Sequence, residues 1–358
     1  MITDLRLQHF RSYTDASFEL DNGVNIIVGP NASGKTNLLE AILVLAHGSS
    51  YRGADADLVQ FKAPWSRLDV NMPNGARIVK LQVLPTQKVA KTFELDGQVL
   101  TRLAPSRTLP VVLFEPNHLL LLSGSPELRR NFIDDLIEQT VPGFGTTRRH
   151  YKRVLSQRNA LLKKQPHGLS EQLFVWNLRL SELGGKIVRE RSAIIARFAE
   201  RMSELYGRLS TGQNDIALAY ATQFPVERYE TALLHKLESS VELEKLRGFT
   251  AAGPHRDDLS VLIDGRPAQE TASRGETRTL VLALKILELQ LIEELREQPP
   301  LLLLDDVFSE LDGRRRQALT SFVSSYQTFI TTTDADVVVQ HFTTSNIIPL
   351  AKSDNTIQ

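Results

Sequence analysis

Cysteine is absent from the 358 residues. Disulfide scaffolds, thiolate zinc sites and cysteine nucleophiles are therefore excluded together, which fits a reducing compartment. Neither sign of charge prevails, since 42 Lys and Arg face 42 Asp and Glu. A uniformly basic coat for nucleic acid is excluded, and any contact with a polyanion has to come from a local patch. No run reaches the roughly 18 apolar residues that a membrane span requires. The first residues set Asp4, Arg6 and Arg11 close to their apolar positions, unlike a secretory signal. A soluble cytoplasmic protein without membrane contact is the expectation. Internal repeats and low-complexity tracts are also lacking.

What is present is ordinary globular material, 42% hydrophobic and 23% charged, enough for a sizeable core. The length allows about two domains, or one large domain with an insertion. Alternating apolar residues predict short strands around Ile2–Phe10, Phe18–Leu20 and Val24–Val28. A helix is expected from about Lys35 to Ala46, then strands from about Leu68 to Leu113, with Asp96-Gly97 as a hairpin turn. Past Pro116 the period becomes helical. Apolar residues from Leu173 to Leu205 recur every three or four positions, predicting one long helix over Ser170–Leu209. Gly184-Gly185 interrupts that pattern and would kink it, and Trp176 reads as core. Arg148–Lys164 is its expected antiparallel partner. Strands return at Ile216–Tyr220, Leu259–Ile263, Leu301–Leu304 and Thr328–Thr331, with helices from about Gly275 to Glu297 and from about Gly313. Strand alternating with helix argues for a buried parallel sheet. The expected fold is α/β, one unit formed by 1–115 and 250–358, with a helical lobe, 116–249, inserted between.

The chemistry is concentrated in a few motifs. Gly29-Pro30-Asn31-Ala32-Ser33-Gly34-Lys35-Thr36 matches the phosphate-loop pattern in full, between an apolar strand and a helix. Its amides and the helix N-terminus make an anion cradle. Lys35 suits the β/γ-phosphates, and the Thr36 hydroxyl suits Mg²⁺. Leu301–Leu304 ends in Asp305-Asp306, at the strand end where ligands bind in parallel sheets. Asp305 fits a Mg²⁺-holding role and Asp306 the orientation or deprotonation of an attacking water. Ser273-Arg274-Gly275-Glu276 opens the helix that leads into this strand. It reads equally as a capping turn or as the Ser-Gly signature that, in ABC-type ATPases, touches nucleotide held by a second subunit. Ser309–Asp312 follows in the place of a D-loop. Thr333 stands where many such proteins carry a switch histidine.

Together these motifs resemble the RecF family of short-armed SMC-type ATPases. Leu7–Tyr13, the phosphate loop, Gly124–Asp134, Gly253–Leu259, Ser273–Arg278 and Leu303–Asp312 carry the resemblance. Arg274 departs from it, standing where such signatures commonly have glutamine. The resemblance implies ATP bound through Gly29–Asn37 with Mg²⁺, slow hydrolysis, and head-to-head dimerisation on ATP. In that dimer Ser273, Gly275, Glu276 and Asp312 would close over the other subunit's nucleotide, and Arg11 on the first strand would reach phosphate unless it is held in an ion pair. It also implies binding of double-stranded DNA near gaps, with RecR and RecO as pathway partners in recombinase loading. Residues 148–164 place Arg148, Arg149, Lys152, Arg153, Arg158, Lys163 and Lys164 together with no acid. That run suits DNA-backbone contact without base readout, or a solvated helix face. His255 and Arg256 would face the nucleotide or the lobe interface, or lie in a structural turn. A P-loop kinase, a transporter-type ATPase and a non-hydrolysing scaffold remain the rival readings.

Overall fold

The computed structural model describes residues 1–73, 75–210 and 214–351. Contacts divide the chain into one unit of Met1–His118 with Glu288–Gln358 and another of Leu119–Leu287. The first unit begins with β1 (Asp4–Phe10), β2 (Tyr13–Glu19), β3 (Val24–Val28), α1 (Lys35–His47) and α2 (Asp55–Leu58). Then come β4 (Trp65–Met72), β5 (Gly75–Val83), β6 (Val89–Leu95), β7 (Gln98–Leu100) and β8 (Val111–Phe114). The second unit holds α3 (Pro126–Thr140), α4 (Phe144–Lys164), α5 (Leu169–Leu209), β9 (Ile216–Ala221), α6 (Tyr229–Ser239) and α7 (Val241–Arg247). It continues with β10 (Asp258–Ile263), β11 (Arg266–Pro267), α8 (Ala268–Thr271) and most of α9 (Arg274–Arg296). The chain returns to the first unit with β12 (Leu301–Asp305), α10 (Val307–Glu310), α11 (Gly313–Val323), β13 (Thr328–Thr332), α12 (Ala335–Val339) and β14 (Asn346–Pro349).

Two sheets build the first unit. One is antiparallel, in the order β2-β1-β4-β5-β6-β7, and the other is wholly parallel, in the order β14-β3-β13-β12-β8. The expected Asp96-Gly97 hairpin joins β6 and β7, pairing Leu95 with Gln98. β12 is buried at all five positions, which is why its sequence is a continuous apolar run instead of an alternating one. α1 is buried along its whole length from Leu38 to Ala46. It shares one core with Leu5, Leu7, Leu68 and Val79 of the antiparallel sheet and with Ile27, Leu303 and Phe329 of the parallel one. A helix apolar on every side has no solvent face to keep, and this one fixes the phosphate loop that precedes it.

The second unit is arranged along α5, 41 residues in one unbroken helix. Gly184-Gly185 does not interrupt it. A Cβ on Gly185 would lie 2.3 Å from the Glu230 side chain, and one on Gly184 3.2 Å from Leu233. The glycines let α6 come close, and they do not break the helix. Trp176 is half-buried. α4 packs antiparallel along α5, and β9, β10 and β11 form a three-stranded antiparallel sheet. The unit therefore reaches Leu287, well past the boundary at 249 read from sequence. The physical reason is that β10 pairs with β9 along its full length, from Asp258↔Ala221 to Ile263↔Ile216.

Buried charge frames this unit. Arg191 on α5 meets Asp134 on α3 through two hydrogen bonds of 2.7 and 2.9 Å and donates to the Pro254 carbonyl at 2.6 Å. Arg129 pairs with Asp258 through two bonds of 2.8 Å. Tyr220 donates to Asp257 at 2.7 Å. Tyr151 lies 2.7 Å from the His255 ring nitrogen, and burial pushes His255 down to about 4, so its imidazole is neutral near pH 7. The Gly124–Asp134 and Gly253–Leu259 motifs are thus the two halves of one ion-paired frame, and His255 and Arg256 belong to a structural turn.

Arg158 is the extreme case. Both it and Glu244 are fully buried, paired at 2.7 Å, and Arg158 also donates to Asn177 and Thr250 at 2.7 Å each. Removing one partner strands the other charge in a dry interior, which costs about 3–5 kcal/mol, whereas replacing both with apolar groups is often neutral. Arg158→Met is therefore expected to lower stability by about that amount in urea unfolding, and Arg158→Met with Glu244→Leu to recover most of the loss. A double variant no more stable than the single one would contradict this account.

Candidate functional site

β3 delivers the chain to Gly29 at the carboxyl edge of the parallel sheet, and the loop closes into α1. Gly29 is packed so tightly that a Cβ would sit 2.6 Å from both the Leu350 carbonyl oxygen and the Ser33 hydroxyl. Gly34 has φ 98°, a left-handed conformation that suits glycine, and its carbonyl accepts from the Tyr13 hydroxyl at 3.0 Å. No side chain caps the N-terminus of α1, so its first amides remain directed at the cleft. The buried Lys35 ammonium donates to the carbonyls of Gly29 at 2.7 Å and Pro30 at 3.0 Å. Both partners are neutral carbonyl oxygens, which leave the position receptive to an anion. The Ser33 hydroxyl is buried with no hydrogen-bond partner among the described residues.

Beside the loop, β12 ends in Asp305, whose carboxylate accepts from the Thr331 hydroxyl at 2.7 Å and the Thr36 hydroxyl at 3.1 Å. Thr331 in turn accepts from the Asp306 amide at 2.9 Å. One β13 hydroxyl therefore fixes the Asp305 carboxylate and the Asp306 backbone. Asp306 adopts φ 56°, turning its side chain away from the strand path and into the cleft. Burial holds its pKa above the ordinary aspartate value; Lys35 opposes the shift, and Asp305 and Glu310 add to it. The cleft, about 530 Å³, is lined by Asn31, Ala32, Gly34, Lys35, Thr36, Asn37, Arg52, Pro116, Asp305 and Asp306. The donor set fits a triphosphate with a hard divalent cation. Uncapped amides and an ammonium meet phosphate, and a hydroxyl beside a carboxylate supplies the oxygen ligands Mg²⁺ prefers. A groove of about 600 Å³ on β1, β2 and β4 is larger. Its cations are already matched, Arg6 with Asp15 and Arg67 with Asp69, so it offers no comparable chemistry.

Lys35, Thr36, Asn37, Asp305 and Asp306 converge as the sequence suggests. Arg11 does not join them. Its guanidinium makes two bonds, 2.8 and 2.7 Å, to Glu40, a wholly buried carboxylate on α1 that would otherwise lack a counter-charge. Arg52 enters the cleft instead, its guanidinium 3.5 Å from the Asn37 side chain. No motif announces it. The one signal is its place in a short polar segment between α1 and α2. Ser273 and Glu276 form a reciprocal capping box, the Ser273 amide donating to Glu276 at 2.8 Å and the Glu276 amide to Ser273 at 3.2 Å. Asp312 caps α11 by accepting from the Arg315 amide at 3.0 Å. Thr333 is exposed.

The basic run on α4 is smaller than its sequence implies. Arg158 faces inward against Glu244, as described, and cannot meet a polyanion. Arg148 is largely buried against Asp134 at 3.1 Å and Asp135 at 2.6 Å. Each replaces a phosphate with an internal carboxylate. Arg149, Lys152, Arg153, Lys163 and Lys164 remain exposed, with Arg149 3.5 Å from Glu138.

Residues 1–357 match the family model for the RecF/RecN/SMC N terminal domain. The chain is 36% identical over 342 residues to the DNA replication and repair protein RecF of Heliobacterium modesticaldum, covering 93% of this chain and 92% of that one. It is 36% identical over 347 residues to the protein of the same name from a Picosynechococcus species, covering 92% and 89%. A solved structure of the recombination mediator protein RecF with ATPrS, of the RecFOR pathway, superposes with a TM-score of 0.84 at 28% identity over 94% of each chain. An Smc head domain from Pyrococcus furiosus shares the fold, with a TM-score of 0.53 at 17% identity, covering 99% of this chain and 94% of that one. No helix among the described residues is long and apolar enough to cross a membrane. With the ABC/SMC-type ATPase fold, the complete phosphate loop and these relatives together, the chain belongs to the RecF family of the RecF/RecN/SMC ATPases.

Proposed function

We propose that this protein is an ATP-dependent DNA-binding protein of recombinational repair that hydrolyses ATP slowly to release DNA. The observation that carries the reading is the Asp305 carboxylate bonded to the Thr36 hydroxyl at the mouth of the phosphate loop. The family's curated members are named for DNA replication and repair, and one was solved with ATPrS. Gly29–Thr36 and Asn37 bind the triphosphate. Thr36 and Asp305 hold Mg²⁺, which when bound offsets the charge that develops on the phosphate oxygens. Lys35 leaves the Gly29 and Pro30 carbonyls for the β/γ-phosphates. Asp306 takes the proton of the attacking water, or orients it. Ser273, Gly275 and Glu276 of one subunit, with Asp312, close over nucleotide held by the other, so that ATP drives homodimerisation. The exposed cations of α4 grip double-stranded DNA near gaps, and RecR, with RecO, acts in the same recombinase-loading step.

Asp306→Asn is expected to keep ATP binding and lose hydrolysis by about 10²–10⁴-fold. A base works only when deprotonated, and burial raises Asp306. The acid limb of the wild-type rate should therefore lie above the ordinary aspartate range and vanish in the variant. Single-turnover hydrolysis across pH measures both, and an unchanged limb would remove Asp306 from the role.

Sedimentation with and without ATP tests the dimer. Ser273→Ala with Gly275→Ala should abolish ATP-driven association while leaving nucleotide binding to the monomer intact. Dimers that persist in this variant would exclude the shared-nucleotide arrangement.

For DNA, Lys152→Ala with Arg153→Ala should weaken duplex binding and reduce the salt slope by about two units. A slope equal to wild type would move the contact elsewhere.

A further inference from the structure

Phe61 is 87% exposed, yet the turn that presents it is firmly built. The Gln60 amide donates to the His9 carbonyl at 2.8 Å, the Ala63 amide to Gln60 at 2.9 Å and the Val83 amide to Pro64 at 2.9 Å. The Gln60 side chain donates to the Thr14 hydroxyl at 3.0 Å and lies 3.2 Å from the His9 ring. Lys62 takes φ 67°, which tightens the turn and sets its ammonium 5.4 Å from the Phe61 ring centre. Trp65, 38% exposed, is braced edge-on by His9 at 4.6 Å. Two exposed rings four residues apart offer apolar surface to a ligand.

The surroundings select the ligand. Neither 58–68 nor 83–93 contains an acid. Lys62 and Lys88 are exposed, and no ion pair involving either is found among the described residues. Of the acids nearby, Asp55 on α2 pairs with Lys91 at 2.6 Å, Asp57 accepts from the Ala54 amide at 2.8 Å, and Asp69 on β4 pairs with Arg67 at 2.7 Å. Cations without a carboxylate partner beside exposed aromatic rings complement phosphate and base at once. An aromatic ring stacks on a base only where that base is unpaired, so the fit is to a single strand and not to a duplex.

We propose that Phe61 and Trp65 form a stacking site for unpaired bases, with Lys62 and Lys88 on the flanking phosphates, through which the protein distinguishes the edge of a gap from continuous duplex. The inference rests on the DNA-binding reading above and assigns the feature recognised. The test uses the full chain with ATP and two probes, a blunt duplex and the same duplex with a single-stranded tail carrying 2-aminopurine at its first unpaired position. Wild type should favour the tailed probe and change its 2-aminopurine emission. Phe61→Ala should lose about tenfold in affinity for the tail and the emission change, with blunt-duplex binding and ATP hydrolysis within about twofold, a margin far smaller than one stacked base. Phe61→Tyr should restore both. Equal loss on the two probes, or no loss on either, overturns the stacking site while the DNA-binding reading stands. Loss of self-association in sedimentation with tail binding intact also overturns it and makes the patch a protein contact. Failure of wild type to bind either probe removes the DNA-binding reading itself, and this proposal with it.

Discussion

Everything chemical in the first unit depends on one hydroxyl. Thr331 donates to Asp305 and accepts from the Asp306 amide, so β13 holds the Asp305 carboxylate at the end of β12 and the backbone of the residue after it. Asp305 then reaches the Thr36 hydroxyl at the head of α1. Three elements, β13, β12 and the head of α1, are locked to within a hydrogen bond of one another. Such an arrangement is organised before any ligand arrives, which is how charge-stabilising sites avoid reorganisation during reaction.

The second unit solves a different problem. It buries several arginines, and each is given a carboxylate plus carbonyl or hydroxyl acceptors: Arg129 with Asp258, Arg158 with Glu244, Arg191 with Asp134. Paired and hydrogen-bonded in this way, buried charges add geometric uniqueness more than net stability. The two most distinctive motifs of this unit are therefore conformational, fixing α3, α5 and the loop before β10 in one register.

Legibility in the sequence followed from how local each signal is. The phosphate loop, the apolar β12 ending in two acids, the Asp96-Gly97 hairpin and the long period of α5 are each written within a short stretch, and all appear where expected. Arg158 was unreadable for the opposite reason. Its neighbours on α4 are exposed cations, and the carboxylate that internalises it lies on α7. Arg11 likewise waits on Glu40, and Arg52 reaches the cleft from a segment without pattern. The far limit of the second unit was missed because β10 finds its partner only in three dimensions. The interruption expected at Gly184-Gly185 is not one, since α5 runs through it, because glycine can serve a neighbour's approach as well as its own backbone freedom.

The parallel sheet has one more consequence. β3, which feeds the phosphate loop, lies between β13 and β14 and touches no strand near it in sequence. During synthesis the loop therefore leaves the ribosome long before the strands that hold it. Closing so distant a pairing is slow, and until the final strands emerge β3 has neither neighbour in its sheet. A truncated or stalled chain that lacks β13 and β14 could not complete the cradle around β3.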